Sequence, residues 1–84
     1  MENINLSKQA KELKLGKYMH FKGQMHEVLG VGVHTETLEE FVVYKHLAGE
    51  NPEQIFIRPL SMFIEQVDKP ELNYNGPRFK YIGN

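Results

Sequence analysis

The stretch Lys17-Tyr18-Met19-His20-Phe21-Lys22-Gly23-Gln24-Met25-His26-Glu27-Val28-Leu29-Gly30-Val31-Gly32-Val33 decides the fold. It reads as two extended runs joined at Gly23, because glycine supplies the positive φ that tight hairpin turns require. A two-residue loop at this point places Tyr18, His20 and Lys22 on one face with Met25, Glu27 and Leu29. On that register His20 faces Glu27 across the strands, and His20 and His26 lie on opposite faces. The second run is apolar on both faces near its end and carries Gly30 and Gly32. Glycine inside a strand marks a bulge or a bend, so a bent strand serving two sheets is expected.

Upstream, Leu6, Ala10 and Leu13 recur at helical spacing, Ser7 is placed as an N-cap and Gly16 as a left-handed stop. They predict a short helix from Ser7 to Lys14, an N-terminal extension over residues 1–14 of a single domain at 15–84. Downstream, the polar segment His34-Thr35-Glu36-Thr37-Leu38-Glu39 leads into Glu40-Phe41-Val42-Val43-Tyr44-Lys45-His46-Leu47, whose β-branched and aromatic residues suit a strand. Ala48 to Glu53 is rich in turn residues, and Ile55-Phe56-Ile57-Arg58 is a short strand stopped by Pro59. Leu60-Ser61-Met62-Phe63 suits one turn of helix, Ile64 to Val67 a further strand, Asn75-Gly76 a turn, and Phe79-Lys80-Tyr81-Ile82 a last strand. Together these predict a mainly β fold. The expected form is a small, strongly bent SH3-like barrel of five or six strands, with a short N-terminal helix and a one-turn helix before a late strand.

Composition bounds the chemistry. With 84 residues there is room for one core, and with no cysteine there is no disulfide, thiol nucleophile or thiolate metal site. The net charge of -1 combines a basic start and an acidic middle. Five lysines stand against two acids over residues 1–26, net +3, and nine acids stand against three cations over 27–71, net -6. General DNA binding is not expected from that balance. The start lacks the features of a secretory signal and no run is long enough to span a bilayer, so a cytoplasmic location without membrane attachment is expected.

His34-Thr35-Glu36 has the H-x-E form of zinc deaminases, whose further cysteine ligands this chain lacks. The four histidines, His20, His26, His34 and His46, show no ligand-pair spacing, so no metal site is expected. The only serines are Ser7 and Ser61 and the only aspartate is Asp68; neither a nucleophilic triad nor a phosphate-cradling glycine loop can be assembled, and no cofactor is expected. The reading that remains is a non-catalytic binding or interaction module. Its candidate ligand-binding residues are Tyr18, His20, His34, Glu36, Tyr44 and Arg58, and its partner is a protein, a nucleotide or RNA. Arg58 is singled out because a strand end between apolar residues holds it in place, with Glu36, Glu39 or Glu40 as its expected partner. Aromatic residues interleaved with cations support a competing reading, an RNA- or nucleotide-binding barrel. A hydrolase using His34 and Glu36 is a third reading, and a homo-oligomer subunit is a fourth.

Gly16-Lys17-Tyr18, His20-Phe21-Lys22-Gly23, Glu27-Val28-Leu29-Gly30-Val31, His34 with Glu36-Thr37-Leu38-Glu39, Val42-Val43-Tyr44, Arg58-Pro59-Leu60 with Met62-Phe63, and Pro77-Arg78-Phe79 form a combined pattern. It resembles a bacterial family of small domains of unknown function from Leu15 to Ile82. Met19, Lys45, Thr35 and Phe56 stand where such domains tend to carry arginine, arginine, serine and tryptophan. The resemblance implies a compact, mainly β cytoplasmic domain, and brings no reaction or ligand with it.

Overall fold

The computed structural model describes residues 6–47 and 53–83. A short helix α1 (Lys8–Glu12) precedes strands β1 (Gly16–His20), β2 (Met25–Val33), β3 (Glu40–His46) and β4 (Ile55–Pro59). Then come a single-turn helix α2 (Leu60–Phe63), β5 (Gln66–Lys69), a 3-10 turn (Pro70–Leu72), β6 (Tyr74–Pro77) and β7 (Phe79–Gly83). The fold is mainly β, with the short N-terminal helix and the one-turn helix where the sequence places them. There are seven strands, and the main sheet, ordered β4-β3-β2-β1-β7, is open: β4 and β7 do not pair among the described residues. The turn-rich segment Ala48 to Glu53 lies, apart from Glu53, outside the described residues.

Ser7 caps α1, accepting a 3.1 Å bond at Oγ from the Ala10 amide. The helix stops at Glu12, with Leu13 already extended, and Gly16 at φ 125° starts β1 instead of closing the helix. Five residues are too few for stability alone, so tertiary contacts hold α1 in place. The Ser7 amide and hydroxyl donate to the Glu40 carboxylate at 2.7 and 2.6 Å, and Ala10 is buried in the core. These two bonds lower the Glu40 pKa.

The hairpin between β1 and β2 differs from expectation in one decisive way. Its loop has three residues, Phe21-Lys22-Gly23, closed by His20 N–H to the Gln24 carbonyl at 2.8 Å and Gly23 N–H to the His20 carbonyl at 2.7 Å, with Gly23 at φ 97°. A turn followed by a left-handed glycine is the usual three-residue solution. One extra loop residue changes the parity of the register, so every later side chain changes face. Tyr18 pairs with His26 and Met19 with Met25. His20 and His26 therefore share the inner face, and Glu27 lies outside, 3.7 Å from Lys45.

In β2 the register shifts between Val28 and Gly30, so the bend falls where the glycines place it. The strand nonetheless serves one sheet; the second sheet is the β5–β6 hairpin alone. That hairpin turns at the 3-10 segment and Asn73, at φ 53°, and Asn75 and Gly76 lie inside β6, paired with Asp68 and Val67. The Ile64 to Val67 strand begins two residues later than expected, at Gln66.

The inner face of the curled sheet holds Tyr18, Val28, Val42, Tyr44 and Phe79, covered by Leu60 and Phe63 of α2 and by Ala10. Phe63 stacks on Phe79 with ring centres 4.2 Å apart and meets Tyr18 edge-on at 5.3 Å. Such aromatic pairs add about 0.5–1.5 kcal/mol each beyond their area burial. Among the described residues, no helix is long and apolar enough to cross a membrane.

Candidate functional site

The register places histidines and aromatic rings from five strands at one end of the inner face. His20 comes from β1, His26 from β2, Tyr44 and His46 from β3, Phe56 and Arg58 from β4, and Phe79 from β7. His26 is the floor of this cluster, only 3% exposed, with its ring 4.6 Å from His46, 5.3 Å from Phe79 and 5.4 Å from Tyr44. His20 meets Phe79 edge-on at 5.0 Å, and His46 stacks on Phe56 at 4.4 Å. The half-buried Arg58 crosses from one edge strand of the sheet to the other, its guanidinium carbon 5.6 Å above the Phe79 ring.

Buried polar atoms in proteins nearly always have a hydrogen-bond partner. Among the described residues, Nδ1 and Nε2 of His26 and Nε of Arg58 are buried and have none. Burial, with His46, His20 and Arg58 nearby, lowers the His26 pKa to about 4, so the ring is neutral at physiological pH. His20 is lowered as well, by burial and by Arg58, Arg78 and Lys22. The Lys22 amide donates to His20 Nδ1 at 3.1 Å, which puts the proton of the neutral His20 ring on Nε2, a donor without a partner among the described residues. Among the described residues Arg58 has no carboxylate partner. The glutamates expected to pair with it are engaged or remote: Glu40 is held by Ser7, and Glu36 and Glu39 sit in the hairpin loop beyond β2. Arg78 is paired through Nη2 with Glu65 at 2.7 Å, although its Nε, like that of Arg58, is buried without a partner among the described residues.

The six residues singled out in the sequence thus separate. His20 and Arg58 join the histidine cluster, and Tyr44 contributes a buried ring beneath it. Tyr18 is also buried and belongs to the core, its hydroxyl donating to the Lys14 carbonyl at 2.7 Å. His34 and Glu36 lie just beyond the opposite end of β2, eight and ten residues from His26, which for His34 is roughly 25 Å of strand. There the His34 ring shapes a turn: its Nδ1 accepts the Glu36 and Thr37 amides at 3.0 and 3.2 Å, and Thr37 Oγ1 accepts the Glu39 amide at 3.2 Å. A groove of about 210 Å³ beside it is lined by His34 with Gly32, Val33, Phe41, Val43 and Ile57, and Glu36 takes no part in it. His34→Ala is expected to cost about 0.5–1 kcal/mol and lower the melting temperature by about 2–8 °C. His34→Asn should restore part of the loss in the same thermal scan, because its amide oxygen can accept the same two bonds.

His26, His46, Phe56 and Phe79 are not among the residues that the sequence singles out. The signal for them is the i, i+2 pairing of Tyr44 with His46 and of Phe56 with Arg58, legible only once the parity of the first hairpin is known. Among the described residues no group of three or more His, Asp or Glu side chains is arranged to hold a metal ion. Met19 and Lys45 lie on the outer face with Glu27, so their identities do not alter the inner-face cluster. A larger groove of about 410 Å³ runs between α1, α2 and β7, shares Phe79 with the cluster, and is mostly apolar, lined by Leu13, Tyr18, Phe63 and Tyr81 among others.

No curated protein matches this chain. A crystal structure of a DUF1653 protein from Bordetella bronchiseptica is similar to it, at 32% sequence identity and a TM-score of 0.78, over 88% of this chain and 92% of that one. The family described as "Protein of unknown function (DUF1653)" matches residues 16–81, from the first residue of β1 to Tyr81 in β7. By that match, which takes in every strand of both sheets, the chain belongs to the DUF1653 family, a small mainly β domain of unknown function.

Proposed function

We propose that this domain is a non-catalytic binding module whose ligand is held at the histidine-rich end of the inner face, with Arg58 as its charged anchor. The observation that carries this reading is the Arg58 guanidinium. Among the described residues its buried Nε has no partner, and neither has either ring nitrogen of the neutral His26 nearby. Leaving such groups unsatisfied costs about 1–3 kcal/mol each, more for a charged one, and a ligand that supplies acceptors to Arg58 Nε–H and to the single N–H of the neutral His26 ring recovers part of that cost. The aromatic rings around Arg58 provide the apolar surface that small binding sites combine with a few fixed polar groups. His34 and Glu36 take no part, since the turn they form uses the His34 ring as its own acceptor.

The test is a titration of the isotope-labelled domain with a degenerate peptide pool and, separately, a degenerate RNA octamer pool at low salt, followed by NMR. Shifts concentrated on the Arg58 Nε–H and on the His20 and His46 rings, lost in Arg58→Gln, support the reading. Shifts confined to the His34–Glu39 turn or to the groove along β7, or none with either pool, overturn it. A response to RNA alone would make the ligand a nucleic acid.

A further inference from the structure

Resting on that reading, we infer that the group held by Arg58 is a single carboxylate attached to an apolar or aromatic body, and not a phosphate. Three features of the cluster lead there. The first is charge. Arg58 is the cation held within the sheet that has no carboxylate partner among the described residues: Arg78 is paired with Glu65, and the exposed Lys22 extends its ammonium over the Phe21 ring at the rim, 5.9 Å from its centre. His20 and His26 add donors without adding charge, because the His26 ring is neutral and His20 Nδ1 accepts the Lys22 amide. The single guanidinium held within the sheet matches a monoanion; a phosphate dianion would need a second cation, which Lys22 on the exposed loop would have to supply.

The second feature is geometry. A guanidinium presents a planar fork that matches the two oxygens of a carboxylate, and its plane stacks on aromatic faces. Here the Phe79 ring lies 5.6 Å below the guanidinium carbon, and the neighbouring His20 offers Nε2–H as a further donor. The third is the wall. The stacked His46–Phe56 pair at 4.4 Å and the stacked Phe21–Tyr74 pair at 5.4 Å bring flat apolar surface to the end of the sheet where His20 and Arg58 are only partly covered. A carboxylate on an aromatic or aliphatic body uses all three; its source is either a free carboxylic acid or the C-terminal end of a peptide.

The experiment titrates the whole domain with N-acetylphenylalanine, its amide, phenyl phosphate, and a tetrapeptide ending in phenylalanine with a free carboxylate, reading the Arg58 Nε–H and histidine ring signals by NMR. N-acetylphenylalanine should shift these signals, its amide should bind at least tenfold more weakly, and phenyl phosphate should bind more weakly than the carboxylate. Arg58→Lys, which keeps the charge and loses the fork, should weaken binding at least tenfold while the thermal transition stays cooperative. Tetrapeptide binding at least fivefold tighter than the free acid identifies a peptide C-terminus as the source, and equal or weaker binding identifies a small acid. If phenyl phosphate binds tighter, or if the amide binds as well as the acid, the carboxylate assignment is overturned and the binding site stands. If none of these probes moves the signals while the peptide or RNA pool does, the assignment again fails alone; silence toward every probe and both pools removes the site itself.

Discussion

Phe63→Ala is expected to lower the melting temperature by about 12–40 °C, enough to leave much of the protein unfolded at 37 °C. Phe63 is 1% exposed, stacks on Phe79, and touches Tyr18 and Tyr44, so it joins the one-turn helix to three strands of the main sheet. Truncating a buried phenylalanine costs about 3–5 kcal/mol through lost transfer energy and the cavity left behind. At roughly 0.05–0.15 kcal/mol per residue, a domain of 84 residues has about 4–13 kcal/mol in all. Each kcal/mol is worth about 4–8 °C at this size. Thermal unfolding followed by circular dichroism gives the answer, with Phe63→Leu expected to lose less. A fall under about 5 °C for the alanine variant would mean that the core is centred elsewhere.

The second large effect is acid sensitivity. The folded-state pKa of His26 is about 4, below the value near 6.5 of an unfolded histidine. Between these values the unfolded chain binds a proton that the folded chain does not, so stability rises with pH. The contribution is fully present above about pH 6.5, declines as pH falls, and is gone once the pH passes below about 4. A shift of this size corresponds to stability on the order of 3 kcal/mol. His20, lowered in the same direction, adds to the slope, whereas the lowered Glu40 acts only below the normal carboxylate range. Urea unfolding at pH 7.5, 5.5 and 4.5 should show the wild-type midpoint falling steeply. His26→Leu, which removes two unpartnered nitrogens from the core, should be at least as stable at pH 7.5 and much flatter across the range. A wild-type slope in His26→Leu would show that some other group drives the transition.

The legible parts of the fold are those fixed by neighbouring residues. Pro59, the last residue of β4, has no amide to donate to a further ladder bond and is suited to start a turn of helix at Leu60-Ser61-Met62-Phe63, and the observed α2 has those bounds. Strands β3 and β4 are equally local, written in runs of β-branched and aromatic residues. What is not legible depends on a count of one. Gly23 is compatible with loops of two or three residues, and the choice between them decides whether His20 faces Glu27 or His26. With the wrong parity, the cluster of His20, His26 and His46 cannot be assembled, since its members are brought together only by cross-strand neighbours. Arg58 stands out because its flanking residues are local. Its lack of a carboxylate partner does not, because Glu40 is claimed by Ser7, a contact across 33 positions in sequence. In the same way, Asn75-Gly76 carries a turn signal that cross-strand pairing with Val67 and Asp68 overrides.

The docking of α1 separates two boundaries that are usually assumed to coincide. The recognisable family pattern begins at residue 16, yet Ala10 is sealed in the core, Leu6 and Leu13 pack against it, and the buried Tyr18 gives its hydroxyl proton to the Lys14 carbonyl. The stretch that matches the family is therefore shorter than the unit that folds. A fragment cut at residue 15 would keep every strand of both sheets and still open the side of the core, removing the acceptor of the Tyr18 hydroxyl and both bonds that Ser7 makes to Glu40. An excision designed from similarity alone would discard part of the structure that the remaining strands need.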